Sequence, residues 1–145
     1  MKRAEALQGL SREHQEVLVL ARRACANESD PHGADARALC AHLLECWPRF
    51  AAHFALEEQT LLPALNVAGQ GESVALALLQ HAALRELIEK IRLGDLRALH
   101  PWGVAMAEHV RFEERTLFPM AQTVIEPSEL IEVMNPSALQ SSSSI

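Results

Sequence analysis

The sequence predicts an all-α protein, an up-down-up-down antiparallel four-helix bundle. Three observations predict it. Apolar residues recur at helical spacing along almost the whole chain. The β-branched alternation and two-residue hairpin turns of sheet proteins are missing. The breaks between periodic stretches are short, which favours antiparallel neighbours. At 145 residues, 49% hydrophobic and 22% charged, the chain carries enough apolar material for one core. We expect one domain over residues 1–135, followed by a disordered polar tail over 136–145.

The first helix is expected over about 4–27, with Leu7, Leu10, His14, Val17 and Ala21 on one stripe. Breakers and cap formers follow: Asn27, Glu28, Ser29, Asp30, Pro31, His32 and Gly33. Asp35 is read as the cap of the second helix, which turns Leu39, Leu43, Cys46, Phe50, His53, Glu57 and Leu61 inward and stops near Pro63. Pro48 should kink or split it. Beyond Gly69-Gln70-Gly71, the third stripe is Val74, Ala77, His81, Leu84, Ile88 and Ile91, ended by Gly94-Asp95. The fourth holds Ala105, His109, Phe112, Glu113 and Leu117 and ends near Pro119, with His100-Pro101 leaving its start open. A short helix over 127–134 is expected to cover one bundle end.

Composition removes several function classes. A net charge of −6, with no basic stripe or aromatic stacking platform, opposes nucleic acid as a partner. No apolar run reaches membrane-spanning length, and Glu5, Gln8 and Arg12 interrupt any secretory apolar region after Lys2 and Arg3. Cys25, Cys40 and Cys46 are odd in number and lack C-x-x-C spacing, against a disulfide framework or a thiolate zinc site. A reduced, cytoplasmic setting fits this reading. Tyrosine is absent, so no tyrosyl radical or phenolate ligand is available. Trp47 and Trp102 are expected to seal the bundle.

The chemistry lies in a repeat. His53-Phe-Ala-Leu-Glu-Glu-Gln-Thr-Leu-Leu-Pro63 aligns with His109-Val-Arg-Phe-Glu-Glu-Arg-Thr-Leu-Phe-Pro119, with six of eleven positions identical. Each copy follows a helix with a histidine in its apolar stripe, His14 before the first and His81 before the second. Positions i and i+4 share a helix face about 6 Å apart along the axis, so His53 can share a metal with Glu57, and His109 with Glu113. Facing antiparallel helices would join these pairs to His14 and His81. A carboxylate can place one oxygen on each of two ions, so Glu57 and Glu113 read as bridges, and two bridges require two metals. Four histidines and two glutamates in a narrow core carry a large desolvation penalty that coordination would relieve. Imidazole and carboxylate without thiolate suit iron or manganese, with zinc chemically open. The Glu-x-x-His spacing of ferritin-like sites fails, because Ser11, Phe50, Leu78 and Met106 precede the histidines by three. His32, His42 and His100 are read as non-ligands. Glu58 and Glu114, rotated by about 100° from the bridges, are read as solvated or interhelical. Arg85 either faces solvent or leans in toward Glu113 or a bound anion.

Over roughly residues 4–122 the chain resembles the hemerythrin-like, or HHE cation-binding, family, through Glu13-His14, His53-Phe54 with Glu57-Glu58, Gln80-His81, and His109 with Glu113-Glu114 before Leu-Phe-Pro. The resemblance implies a non-haem centre of two iron ions that binds dioxygen, nitric oxide or peroxide, which leaves the zinc or manganese that the donor set allows as lesser alternatives. The oxygen carriers of that family place two histidines four apart on the third helix, where this chain has His81 and Arg85. They also use an aspartate five after the last histidine, where this chain has Glu113 at four and Glu114 at five. The pattern is closer to bacterial relatives with two histidines per iron, including iron–sulfur cluster repair proteins and proteins responsive to peroxide or nitric oxide. An iron donor or sensor, and a metal-stabilised bundle without turnover, are therefore the other readings.

Overall fold

In the computed structural model, which describes residues 2–27, 30 and 32–135, the apolar stripes become helices and no strand occurs among the described residues. Glu28, Ser29 and Pro31 of the expected breaker cluster, and the expected tail over 136–145, lie outside the described residues. The long elements are α1 (Glu5–Ala26), α2 (Ala34–Gln59), α4 (Gly71–Arg92) and α5 (Leu99–Phe112). Between and after them come α3 (Leu61–Val67), α6 (Phe118–Val124) and α7 (Pro127–Val133), with a 3₁₀ turn at Leu96–Ala98 and a π-helical turn at Glu113–Leu117.

Glycine ends two of these helices where the sequence places it. Gly69 and Gly94 take positive φ, 86° and 97°. After each, the next backbone N–H donates back to a carbonyl in the preceding turn: Gln70 to Leu65 at 2.9 Å and Asp95 to Lys90 at 2.9 Å. Both turns are Schellman caps, a conformation that a Cβ would strain.

Proline meets expectation only in part. Pro48 does not split α2, which continues through it as one helix. Asp35 is not the cap but lies in the first turn, after Gly33, where its carboxylate meets the positive helix end. Neither motif helix stops at its proline. The first breaks at Thr60 (φ −125°, ψ −73°) and resumes as α3 through Pro63. The second widens into the π turn and continues as α6 past Pro119. A proline N cannot donate to the carbonyl four residues back, so the strain appears one turn upstream of each ring.

The apolar residues form two clusters. One contains Val17, Phe50, Leu84, Ile88, Trp102 and Met106. The other contains Leu7, Leu10, Leu61, Val74, Leu117 and Phe118, together with Leu130 from α7, so the short terminal helix does cover this end. Each long helix has its histidine between residues of the two clusters. The four pack as a ring, α1 on α2, α2 on α4, α4 on α5, and α5 most extensively on α1. That last approach depends on Gly103, where a Cβ would lie 2.7 Å from the Ala21 carbonyl oxygen and 2.8 Å from the Ala24 Cβ. Trp102 is fully buried beside it and Trp47 nearly so.

Candidate metal centre

Between the two apolar clusters every long helix turns ionisable side chains inward: His14 from α1, His53 and Glu57 from α2, His81 from α4, and His109 from α5, with Glu113 opening the π turn. All six expected residues are buried, none more than 5% exposed. They form two overlapping groups whose ligand atoms lie within 4.8 Å of one another: His14, His53 and Glu113, and Glu57, His81, His109 and Glu113. Glu113 Oε1 lies 2.9 Å from His14 Nε2, 3.3 Å from His109 Nε2 and 3.8 Å from His53 Nε2. Glu57 Oε1 lies 3.4 Å from His53 Nε2 and 3.3 Å from His81 Nε2. Through its Oε1, each carboxylate therefore lies near histidines of more than one helix.

Several of these atoms are buried without a hydrogen-bond partner: Nε2 of His53, His81 and His109, both oxygens of Glu57, and Oε2 of Glu113. Each would be costly if left unsatisfied. Cations bound in the two groups would give these atoms partners, and the donors are nitrogen and oxygen with no thiolate. The residues present fit a metal site. The model of the hemerythrin HHE cation-binding domain matches residues 5–121. The chain belongs to that family. Comparison with curated proteins gives no match, and neither does comparison with solved structures.

Within this hemerythrin-like domain, the outer nitrogen of each histidine is also held. His53 Nδ1 faces Glu13 at 3.2 Å, His81 Nδ1 faces Glu58 at 2.7 Å, His109 Nδ1 faces Gln80 Oε1 at 2.6 Å, and His14 Nδ1 faces Glu114 at 2.7 Å. The four contacts close a ring: α1 orients the histidine of α2, α2 that of α4, α4 that of α5, and the π turn after α5 that of α1. On His53, His81 and His109 the acceptor favours the tautomer with the proton on Nδ1 and the Nε2 lone pair facing inward, the usual outer support of a metal-binding histidine, whereas His14 meets a carboxylate at each nitrogen, Glu114 outside and Glu113 inside.

Sequence reading left this ring unassigned. The signal was present, since each acceptor adjoins a site residue in the chain: Glu13 and His14, Glu57 and Glu58, Gln80 and His81, Glu113 and Glu114. A neighbour rotated by about 100° points along the helix interface, where the adjoining helix presents its imidazole. Arg85 takes the solvent-facing position rather than the one toward Glu113. It pairs with both oxygens of Glu58, at 2.8 and 3.1 Å, with its side chain 41% exposed. His32, His42 and His100 belong to neither group. His42 Nε2 lies 3.7 Å from Cys46 Sγ, and His100 Nδ1 meets the Cys25 carbonyl at 3.1 Å.

Protons occupy the cluster unevenly before a cation binds. Burial disfavours the imidazolium of His14, but hydrogen bonds to Glu113 and Glu114 outweigh it and raise its pKa to about 9. Burial and the charge of His109 lower that of His81 to about 4. Burial and the negative charge of Glu113 push Glu57 well above the usual carboxylate range. Glu113 is held well below that range: burial opposes this, but the charge of His109 and contacts with Glu57, His109 and His14 win. A metal ion must displace these protons, so its binding strengthens as pH rises.

Packing closes the site. Phe54 stacks on His81 at 4.1 Å between centroids, and Phe118 on His14 at 5.5 Å. A cavity of about 10 Å³ lies against His14 and His53, walled by Val17, Phe50, Phe54 and Met106, with Glu13 at its edge. That is the scale of a single water-sized molecule.

Proposed function

We propose that this hemerythrin-like domain holds two iron ions and uses them to bind or react with dioxygen, nitric oxide or peroxide. His14 and His53 would hold one ion, His81 and His109 the other, with Glu57 and Glu113 spanning both. The observation that carries this reading is the inward convergence of unpartnered Nε2 and carboxylate atoms while every Nδ1 is held outward. The alternation of the two apolar clusters along α1, α2, α4 and α5 supports the up-down-up-down arrangement that brings the four histidines to one level. The burial of Leu130 supports a domain that extends through α7.

An iron pair supplies electrons and open coordination positions for a small ligand. The chain's own part is separate from that chemistry. The outer acceptors hold each Nδ1 and so orient each ring, the two glutamates offset cationic charge, and Phe54 and Phe118 exclude water. The small cavity beside His14 and His53 admits a few atoms and no organic substrate.

Loading with ferrous iron under argon, removal of excess and an iron assay test the reading. Two ions per chain are expected, followed by ligand-induced absorption changes with nitric oxide and consumption of peroxide. Two bound ions inert to all three ligands would favour the metal-stabilised bundle. Transfer to an apo acceptor protein would favour the iron donor.

A further inference from the structure

The ring of outer acceptors is uneven in charge. Beside His14 and His53 stand two carboxylates, Glu114 and Glu13. The cation there, Arg3, reaches Glu114 through one nitrogen at 3.3 Å, and the same nitrogen also donates to the Glu114 carbonyl at 2.9 Å. Beside His81 and His109 stand one carboxylate, Glu58, and one amide, Gln80. Glu58 is clamped through both oxygens by Arg85. Each arginine also lies over the phenylalanine ring stacked on its side's histidine, Arg3 over Phe118 and Arg85 over Phe54, so the two sides differ in the carboxylates and not in these stacks. Two carboxylates against one cation leave a negative charge on the first side. One carboxylate against one cation leaves none on the second.

A carboxylate on Nδ1 increases the basicity of an imidazole ligand and favours the higher charge on its metal. A guanidinium bound through two hydrogen bonds takes up the acceptor strength of that carboxylate, and its own charge disfavours a more cationic metal nearby. Both effects act in one direction at His81. We propose that Arg85, acting through Glu58, is a positioning residue that makes the His81 and His109 side the more oxidising half of the centre. One electron from a one-electron donor, added to the diferric form, then reduces the ion on that side to ferrous and leaves the ion beside His14 and His53 ferric. The inference rests on the two-iron reading.

Potentiometric titration of the iron-loaded full chain, followed by electron paramagnetic resonance and Mössbauer spectroscopy, tests it after an iron assay of every variant. Two one-electron steps are expected, separated by at least a tenfold ratio in equilibrium constant, or 59 mV. Arg85→Leu should lower the upper step and Glu58→Gln should raise it, each by a similar factor. Loss of support for His81 alone would move both variants the same way. Gln80→Glu should lower the upper step, and Glu114→Gln should move the lower step instead. Shifts of one sign for Arg85→Leu and Glu58→Gln, or an upper step unmoved by both in a protein carrying two irons, would overturn the proposal. Fewer than two irons in the unaltered protein would overturn the two-iron reading itself.

Discussion

The two copies of the His-x-x-x-Glu-Glu motif share six of eleven residues, yet their backbones and carboxylates differ. In the first, α2 ends at Gln59 and Thr60 leaves the helical region, its hydroxyl donating to the Leu56 carbonyl at 2.6 Å. In the second, the chain stays helical through a wide turn in which the Phe118 N–H donates to the Glu113 carbonyl. Glu57 lies three residues before its break, whereas Glu113 begins the wide turn and contacts three histidines. The residue after each of these glutamates is tied to a different neighbour: Glu58 to His81 and Arg85 on α4, Glu114 to Arg3 and to Ser11 and His14 on α1. Local sequence thus sets where a proline must be relieved, and the packed surroundings set how. Such π turns recur at functional sites, and here one carries the carboxylate common to both ligand groups.

The largest test of this difference removes the two glutamates separately. Glu113→Ala should reduce bound iron from two per chain to none, because Glu113 belongs to both groups. Glu57→Ala should retain no more than one ion, and far-ultraviolet circular dichroism should report preserved helix in both. Equal retention in the two variants would remove the distinction between the copies.

The prolines test the backbone. Pro119→Ala restores a donor for the Arg115 carbonyl and allows the π turn to tighten, which would rotate Glu113 away from His14. We expect about tenfold weaker iron binding by competition with a chelator. Pro63→Ala acts downstream of Glu57 and should change iron affinity less than twofold.

Acidity gives a third test, because the histidines beside the two carboxylates are shifted in opposite directions. In metal-free protein, the raised pKa of His14 contributes stability that is complete below pH 6.5 and lost as pH rises through about 9. The lowered pKa of His81 gives the converse, stability lost as pH falls from 6.5 through about 4. Each shift corresponds to about 3 kcal/mol, and urea denaturation across pH reads both limbs. His14→Gln should flatten the alkaline limb and His81→Gln the acid one. An alkaline limb unchanged by His14→Gln would reassign it to Glu57.

A smaller effect concerns the frame that holds both copies. Gly103→Ala places a methyl against the α1 backbone and should cost about 1–3 kcal/mol, read in the same denaturation experiment on iron-loaded and metal-free protein.

Much of this was legible in the sequence. The α4 stripe of Val74, Ala77, His81, Leu84, Ile88 and Ile91 is buried throughout, because no proline disturbs its period. The six clustered residues followed from the repeat and helix geometry. Helix ends beyond Pro63 and Pro119 were not legible, since a proline marks strain without deciding between a break and a wide turn. Cys46, Ala105 and Phe112, read as inward, are only half-buried, while Met106 and Val110 fill the interior of α5. The outer ring requires knowing which helices adjoin, and no single helix's periodicity carries that information.

Anomalous diffraction at the iron edge, from crystals of the iron-loaded protein, tests the central claim most directly. Two peaks are expected, one at bonding distance from Nε2 of His14 and His53, the other from Nε2 of His81 and His109, with Glu57 and Glu113 between them. A single peak, or iron bound through any Nδ1 of the outer ring, would contradict it.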